Sequence, residues 1–191
     1  MQKKDTVNVF IIVWTCWFLS EVLLHRIFKS KTNKSRFSDG NSLRLVWITI
    51  VISISLGVLG LIYMPTPIFK SDVMGYLGLL LILSGMIIRI IAIRTLGKFF
   101  TVDLGIDNDH RLINKGLYKY IRHPSYTGSL LSFLGLGLSL NNWISLLVIF
   151  VPVLVAFIYR INIEEKLLLA QIGPEYSDYK KQTKRLFPLI Y

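Results

Sequence analysis

Residues 115–128 read KGLYKYIRHPSYTG, and they convert a polar segment into a long apolar one. Lys115, Lys119 and Arg122 bring charge, and Tyr118, Tyr120 and Tyr126 bring flat amphipathic rings. Pro124 lacks an N–H and pushes His123 out of the α region, so the stretch is an ordered turn feeding a helix with Pro124 in its first turn. The free N–H groups around Ser125 and Tyr126 would then face whatever lies before the helix, an arrangement that attracts carboxylates or phosphates. The competing reading is a basic, tyrosine-lined interface beside a membrane helix, with no site at all.

Downstream, residues 126–140 form a short apolar run, Asn141-Asn142 signals a turn, and residues 143–159 return as a second run, so the spacing predicts a helical hairpin. On the first arm Gly128, Ser132, Gly135 and Ser139 share one helix face, either as a packing seam or as room for a ligand between helices. Pro152 is a candidate kink in the second arm. Upstream, residues 7–24, 45–64 and 73–93 are three further spans, the second carrying Ser53 and Gly57 at close-packing spacing and ending at Pro65-Thr-Pro67. The first run has no small-residue cleavage pattern after it and reads as a span rather than a removable signal. The expected architecture is an all-α integral membrane helical bundle of about five transmembrane helices in a single domain, 1–191. Residues 1–94 hold three N-terminal spans, and 95–191 hold the motif-bearing half with a hairpin at 126–160 and a cytoplasmic helical tail.

Bulk properties agree. Hydrophobic residues make up 53% of the 191 positions and charged ones 17%, with a mean hydropathy of +0.55, which excludes an ordinary soluble fold. The net charge of +11 does not make this a nucleic-acid binder, because the basic residues cluster in loops between apolar runs. Lys29, Lys31, Lys34, Arg36 and Arg44 crowd the first loop, so it should be cytoplasmic, with the N-terminus outside and the C-terminus inside. The single Cys16 allows no internal disulfide and is read as a packing residue.

Two ionisable residues fall inside spans. Glu21 is expected to be an interfacial acid pairing with His25 or Arg26, and Arg89 to snorkel toward the inner interface. Asp103, Asp107 and Asp109, which follow Phe99-Phe100, lack the glycine and terminal glutamate of a calcium loop and read as solvated carboxylates or caps, so no metal is expected.

The tail carries the remaining chemistry. Arg160 and Glu164 are one turn apart on a helix leaving the membrane, with Glu165 beside them. Gly173-Pro174 stops that helix. Tyr176, Tyr179 and Thr183 recur on one face of a last short segment, an interfacial anchor or the lid of a pocket, and residues 187–191 are apolar enough to fold back. No Ser-hydrolase elbow, P-loop or dinucleotide fingerprint is present.

Three blocks, LINKGLYKYIRHPSYTG at 112–128, Arg160 with Glu164-Glu165, and GPEYSDYKKQTKRLFP at 173–188, together resemble the isoprenylcysteine carboxyl methyltransferase family, here in a compact prokaryotic-type form. The resemblance covers roughly residues 95–191. It implies S-adenosylmethionine-dependent methylation of a prenylcysteine carboxylate at the cytoplasmic face. By position, Leu117, Tyr118, Arg122, His123 and Tyr126 would hold the cofactor from one side and Glu164 or Glu165 from the other. Arg160, with Arg122 as second choice, would pair with the acceptor carboxylate. A lipid-like or lipidated acceptor in the membrane is implied, and in a prokaryotic chain it would be an amphiphile other than the usual prenylated motif. The alternatives are a phospholipid or lipid-amine N-methyltransferase, an NADPH-dependent sterol-reductase-like enzyme and a non-catalytic lipid-binding scaffold.

Overall fold

In hydrocarbon every backbone N–H and C=O must find its partner within the protein, so uninterrupted apolar runs become helices. The computed structural model describes residues 2–27, 40–97, 100 and 112–187. Among these described residues are six helices: α1 (Gln2–Ile27), α2 (Gly40–Tyr63), α3 (Val73–Leu96), α4 (Pro124–Ser139), α5 (Trp143–Ile172) and α6 (Pro174–Gln182). A 3₁₀ turn, Gly116–Lys119, precedes α4. Among the described residues the only strand-like pairings are isolated bridges joining Pro67 to Asn142 and Ile121 to Lys184. The chain is an all-α integral membrane bundle, as its apolar pattern predicts. Residues 41–63, 73–96 and 143–172 are long and apolar enough to cross a bilayer, and the apolar part of α1, residues 8–24, is shorter. α4, with 16 residues, is about 24 Å long at 1.5 Å per residue.

The helices pack in the order α3, α4, α5, α2, with α1 against α3. The small-residue stripe on α4 is a packing seam. A Cβ on Gly128 would lie 2.6 Å from the Gly85 carbonyl oxygen, and one on Gly135 would lie 2.5 Å from the Gly78 carbonyl oxygen, so the α3 and α4 backbones touch. Ser132 Oγ adds a bond to the Ile82 carbonyl. On the other side of the layer, Ser145 Oγ donates to the Gly57 carbonyl of α2 at 2.7 Å. Pro152 lies within an unbroken α5. Leu80, Leu83 and Ile87 of α3, and Leu147, Val151 and Val155 of α5, stay exposed as lipid-facing surface.

The hairpin turn is knitted to the α2–α3 loop. Asn141 adopts φ 48°, and its side chain exchanges bonds with both backbone groups of Phe69. Asn142 caps α5 by accepting from Ser145 N at 2.9 Å and donates to the Met64 carbonyl.

Four expectations change. α2 begins at Gly40 rather than near residue 45, adding a turn at the end nearer Arg160. Cys16 is exposed on α1 instead of packed. Arg89 does not snorkel: it is 12% exposed and pairs with Glu21 at 3.1 Å, so Glu21 reaches across to α3. Arg89 Nη1 also donates to Ser125 O, Ser125 Oγ and Ser129 Oγ. Burying a guanidinium at this depth is tolerated because a carboxylate and three α4 acceptors surround it. The Lys29–Arg36 loop, the Asp103–Asp109 series and residues 188–191 lie outside the described residues.

Gly128→Ala forces backbone against backbone, and a loss of about 1–3 kcal/mol is expected from thermal unfolding in detergent. A double-mutant cycle of Glu21→Gln and Arg89→Met is expected to give a coupling of about 0.6–1.7 kcal/mol, between the mean and the largest value for interhelical polar pairs in membranes.

Candidate functional site

The polar end of the bundle is built by three segments that are distant in sequence. His123 ends the turn and Pro124 opens α4 at its first position, as the proline chemistry requires. α5 continues unbroken past the apolar run, so Arg160, Glu164 and Glu165 project from a rigid helix. After α6 the chain returns alongside the turn: Arg122 N donates to Lys184 O at 2.8 Å, His123 N to Arg185 O at 3.1 Å, and Lys184 N to Tyr120 O at 3.0 Å. Thr127 Oγ1 then anchors the Leu186 carbonyl at 2.6 Å.

Glu165 sits at the centre and is 3% exposed. Its Oε1 accepts from Arg122 Nε at 2.8 Å, and its Oε2 accepts from Arg185 Nη2 at 2.9 Å and Nε at 3.2 Å. Lys180 Nζ stands 3.4 Å away. Arg122 is engaged further, donating through Nη1 to the Lys180 and Thr183 carbonyls. Together these bonds make Glu165 and Arg122 a clamp between α5, the turn and the tail.

Glu164 stands differently. Its side chain is 25% exposed, and its Oε2 accepts from Tyr126 Oη at 2.7 Å. Tyr126 Oη in turn accepts from Arg160 Nε at 3.0 Å. Arg160, 2% exposed, also donates to Ser42 Oγ of α2 at 2.9 Å. The expected Arg160 and Glu164 pairing on one face is therefore bridged by a tyrosine. Tyr126 stacks on the His123 ring at 5.6 Å and leans on Phe157 at 5.3 Å. His123 lies with Nδ1 3.8 Å from Glu164 and Nε2 3.4 Å from Glu165, and Nε2 has no hydrogen-bond partner of proper geometry among the described residues.

α6 closes the cluster from below. Tyr176, Tyr179 and Thr183 are all buried, as their shared face predicts. Tyr179 Oη donates to the Tyr118 carbonyl at 2.6 Å. Burial pushes the Tyr179 phenol up to about 12, with Arg122 pulling the other way, so it stays a neutral donor. Burial, followed by the Glu164 carboxylate, likewise raises the Tyr118 phenol. Leu117 enters through its carbonyl, which receives Tyr120 N and Ile121 N and shapes the 3₁₀ turn.

The structure thus joins Arg122, His123, Tyr126, Arg160, Glu164 and Glu165 in one network and ties Tyr118 to it through Tyr179. Ser42 and Arg185 belong to it as well, although neither stands out in the sequence. Arg185 was legible in principle, since a buried glutamate needs cations. Ser42 was not, because it sits before the apolar run of its helix. No group of three or more His, Cys, Asp or Glu placed to hold a metal occurs among the described residues.

Comparison with known proteins gives concordant matches. A family model described as phospholipid methyltransferase matches residues 73–174. The protein-S-isoprenylcysteine O-methyltransferase of Saccharomyces cerevisiae is 40% identical over 117 residues, 60% of this chain and 48% of the yeast protein. Protein-S-isoprenylcysteine O-methyltransferase B of Arabidopsis thaliana is 35% identical over 115 residues, 59% of this chain and 58% of its own. The chain spans about half to three fifths of the length of these relatives. In fold it is similar to a solved structure of the eukaryotic intramembrane Ras methyltransferase ICMT, with a TM-score of 0.65 and 24% identity, covering 96% of this chain and 66% of that one.

Glu165→Gln strips the shared charge from Arg122, Arg185 and Lys180, and a destabilisation of about 3–5 kcal/mol is expected, as for breaking a buried pair. Glu164→Gln, at a half-open position, is expected to leave the thermal midpoint much closer to wild type.

Proposed function

The chain belongs to the phospholipid methyltransferase family, and on that premise we propose that it transfers a methyl group from S-adenosylmethionine to the carboxylate of a lipidic acceptor. The observation that carries this reading is the Arg160–Tyr126–Glu164 chain of hydrogen bonds. It sets a buried cation and a half-exposed anion on either side of one aromatic ring, at the polar end of a membrane bundle.

The residues suit the cofactor. When bound, S-adenosylmethionine supplies an electrophilic methyl group on a sulfonium cation. Tyr126 and the His123 ring stacked on it offer π faces of the kind that attract such a cation. Glu164, whose carboxylate has Tyr126 as its one close donor among the described residues, has capacity left for ribose hydroxyls or an ammonium. The buried His123 Nε2 makes only a misaligned 3.4 Å approach to Glu165 among the described residues, which leaves its ring free to adjust to a ligand.

An acceptor carboxylate is already ionised near neutral pH, so no strong general base is required. The protein's task is to align the nucleophile and keep water out. Arg160 is the better candidate to orient that carboxylate, because Arg122 is already paired with the Glu165 carboxylate and the tail carbonyls, whereas Arg160 bonds the neutral hydroxyls of Tyr126 and Ser42. Ser42 and Tyr126 fix the Arg160 side chain in place before the acceptor arrives. The isoprenylcysteine relatives support a prenylated or similar amphiphilic acceptor, entering from the bilayer. The basic loop at residues 29–36 supports a cytoplasmic location for the site.

The family description favours a second reading, methylation of a phospholipid amine. The two differ in their need for Arg160. With purified protein and a prenylcysteine analogue, Arg160→Ala is expected to lower kcat/KM about ten- to hundredfold, the loss of one charge-assisted bond, while S-adenosylmethionine still binds in calorimetry. Turnover of a lipid amine that survives Arg160→Ala, with no ester formed by wild type, would move the assignment to the amine.

A further inference from the structure

Tyr176 is the one large polar side chain of α6 whose hydroxyl does nothing in the fold. It is 1% exposed, yet Tyr176 Oη has no hydrogen-bond partner among the described residues. A buried hydroxyl left unpaired costs about 1–3 kcal/mol, so a phenylalanine would serve the same packing better. Its neighbour Tyr179, with ring centroid 6.0 Å away, shows the contrast: that hydroxyl is spent on the Tyr118 carbonyl and holds α6 against the turn.

The surroundings say what kind of group is missing. After burial, the carboxylates of Glu165 and then Glu164 raise the Tyr176 phenol, and Arg122 opposes them. The geometry agrees: Lys180, one turn along α6 from Tyr176, reaches Glu165 at 3.4 Å, so the face of α6 that carries the ring packs toward the glutamates of α5. His123 Nε2 is the second buried polar atom of this cluster without a proper partner. The two elements packed round the glutamates of α5 thus carry an unpaired hydroxyl on α6 and a misaligned imidazole nitrogen on the turn. Glu165 is already saturated by Arg122, Arg185 and Lys180, so it does not call for another cation. Glu164 has the free capacity, and a ligand carrying hydroxyl or ammonium groups beside it would give the Tyr176 hydroxyl a partner as well.

We propose that Tyr176 is a cofactor-binding residue whose hydroxyl hydrogen-bonds S-adenosylmethionine on its polar side, next to Glu164, which makes α6 a wall of the cofactor site and not only a membrane anchor. The inference rests on the methyltransferase reading above and adds to it a residue from the C-terminal segment. It also gives the burial of the α6 face a purpose: residues 174–182 must be docked for the site to be complete.

The test uses the full chain purified in detergent, with wild type, Tyr176→Phe and Tyr179→Phe compared. Calorimetric titration with S-adenosylmethionine gives the affinity, and thermal unfolding without ligand gives the stability. For Tyr176→Phe the expected result is an unliganded midpoint equal to or above wild type with an affinity about three- to tenfold weaker, the loss of one hydrogen bond. For Tyr179→Phe the unliganded midpoint should fall, because a bond within the fold is removed. A Tyr176→Phe protein that binds S-adenosylmethionine as tightly as wild type overturns the proposal, and so does one that loses stability without ligand, since the hydroxyl would then be structural. Failure of wild type itself to bind S-adenosylmethionine overturns the methyltransferase reading and this inference with it, an outcome distinct from a wild type that binds alongside an indifferent variant.

Discussion

The polar end of this bundle depends on one buried carboxylate. Glu165 is withdrawn from solvent on α5 and must be neutralised where it stands, and the charges that do so come from three places: Arg122 from the turn before α4, Lys180 from α6 and Arg185 from the returning tail. An isolated carboxylate there would be prohibitive, and a partly paired one would be costly. The ion cluster therefore obliges the tail to return alongside residues 120–123. The backbone bonds from Arg122 and His123 to the tail carbonyls are the geometric result.

That arrangement divides the labour between two adjacent glutamates. One turn face of α5 carries Glu165 into the clamp, and the neighbouring position leaves Glu164 half open against Tyr126. Residues next to each other in sequence thus take opposite roles because a helix rotates them about 100° apart. The proposed chemistry uses the open one. The clamp supplies rigidity and holds His123 and Tyr126 stacked. Preorganisation of this kind matters most where the reaction needs alignment rather than proton transfer.

The membrane part serves the same end by different physics. Without a hydrophobic drive between helices, α3 and α4 associate through backbone contact at Gly85, Gly128 and Gly135 and through Ser132. The Arg89 guanidinium, held by Glu21, grips Ser125 and Ser129 in the first turns of α4. The start of α4, where His123 and Tyr126 are presented, is thereby fixed from behind by α1 and α3 and from the front by α5 and the tail. Snorkelling was the reasonable expectation for an arginine near a span's end. It loses because acceptors on α4 lie within reach, and they are visible only after the helices are packed.

Hydropathy, proline placement and the asparagine turn marked the apolar helices, though not the extra turn at the start of α2. The 3.6-residue period and the bilayer's demand for satisfied backbone are local constraints, and they leave few options for apolar runs of this length. The same locality explains why the Arg-His-Pro turn, Arg160 and the Glu164-Glu165 pair could be marked as candidate site residues once the family resemblance was joined to their chemistry. What tertiary structure alone decided is which groups meet. Tyr126 intervenes between Arg160 and Glu164, Ser42 reaches Arg160 from the start of α2, Glu21 crosses to Arg89, and Tyr176 is left with its hydroxyl unpaired while Tyr179 is not. Such pairings join residues dozens of positions apart. They are settled by the cost of leaving buried charges and hydroxyls unmet, a balance struck between elements rather than within any one of them.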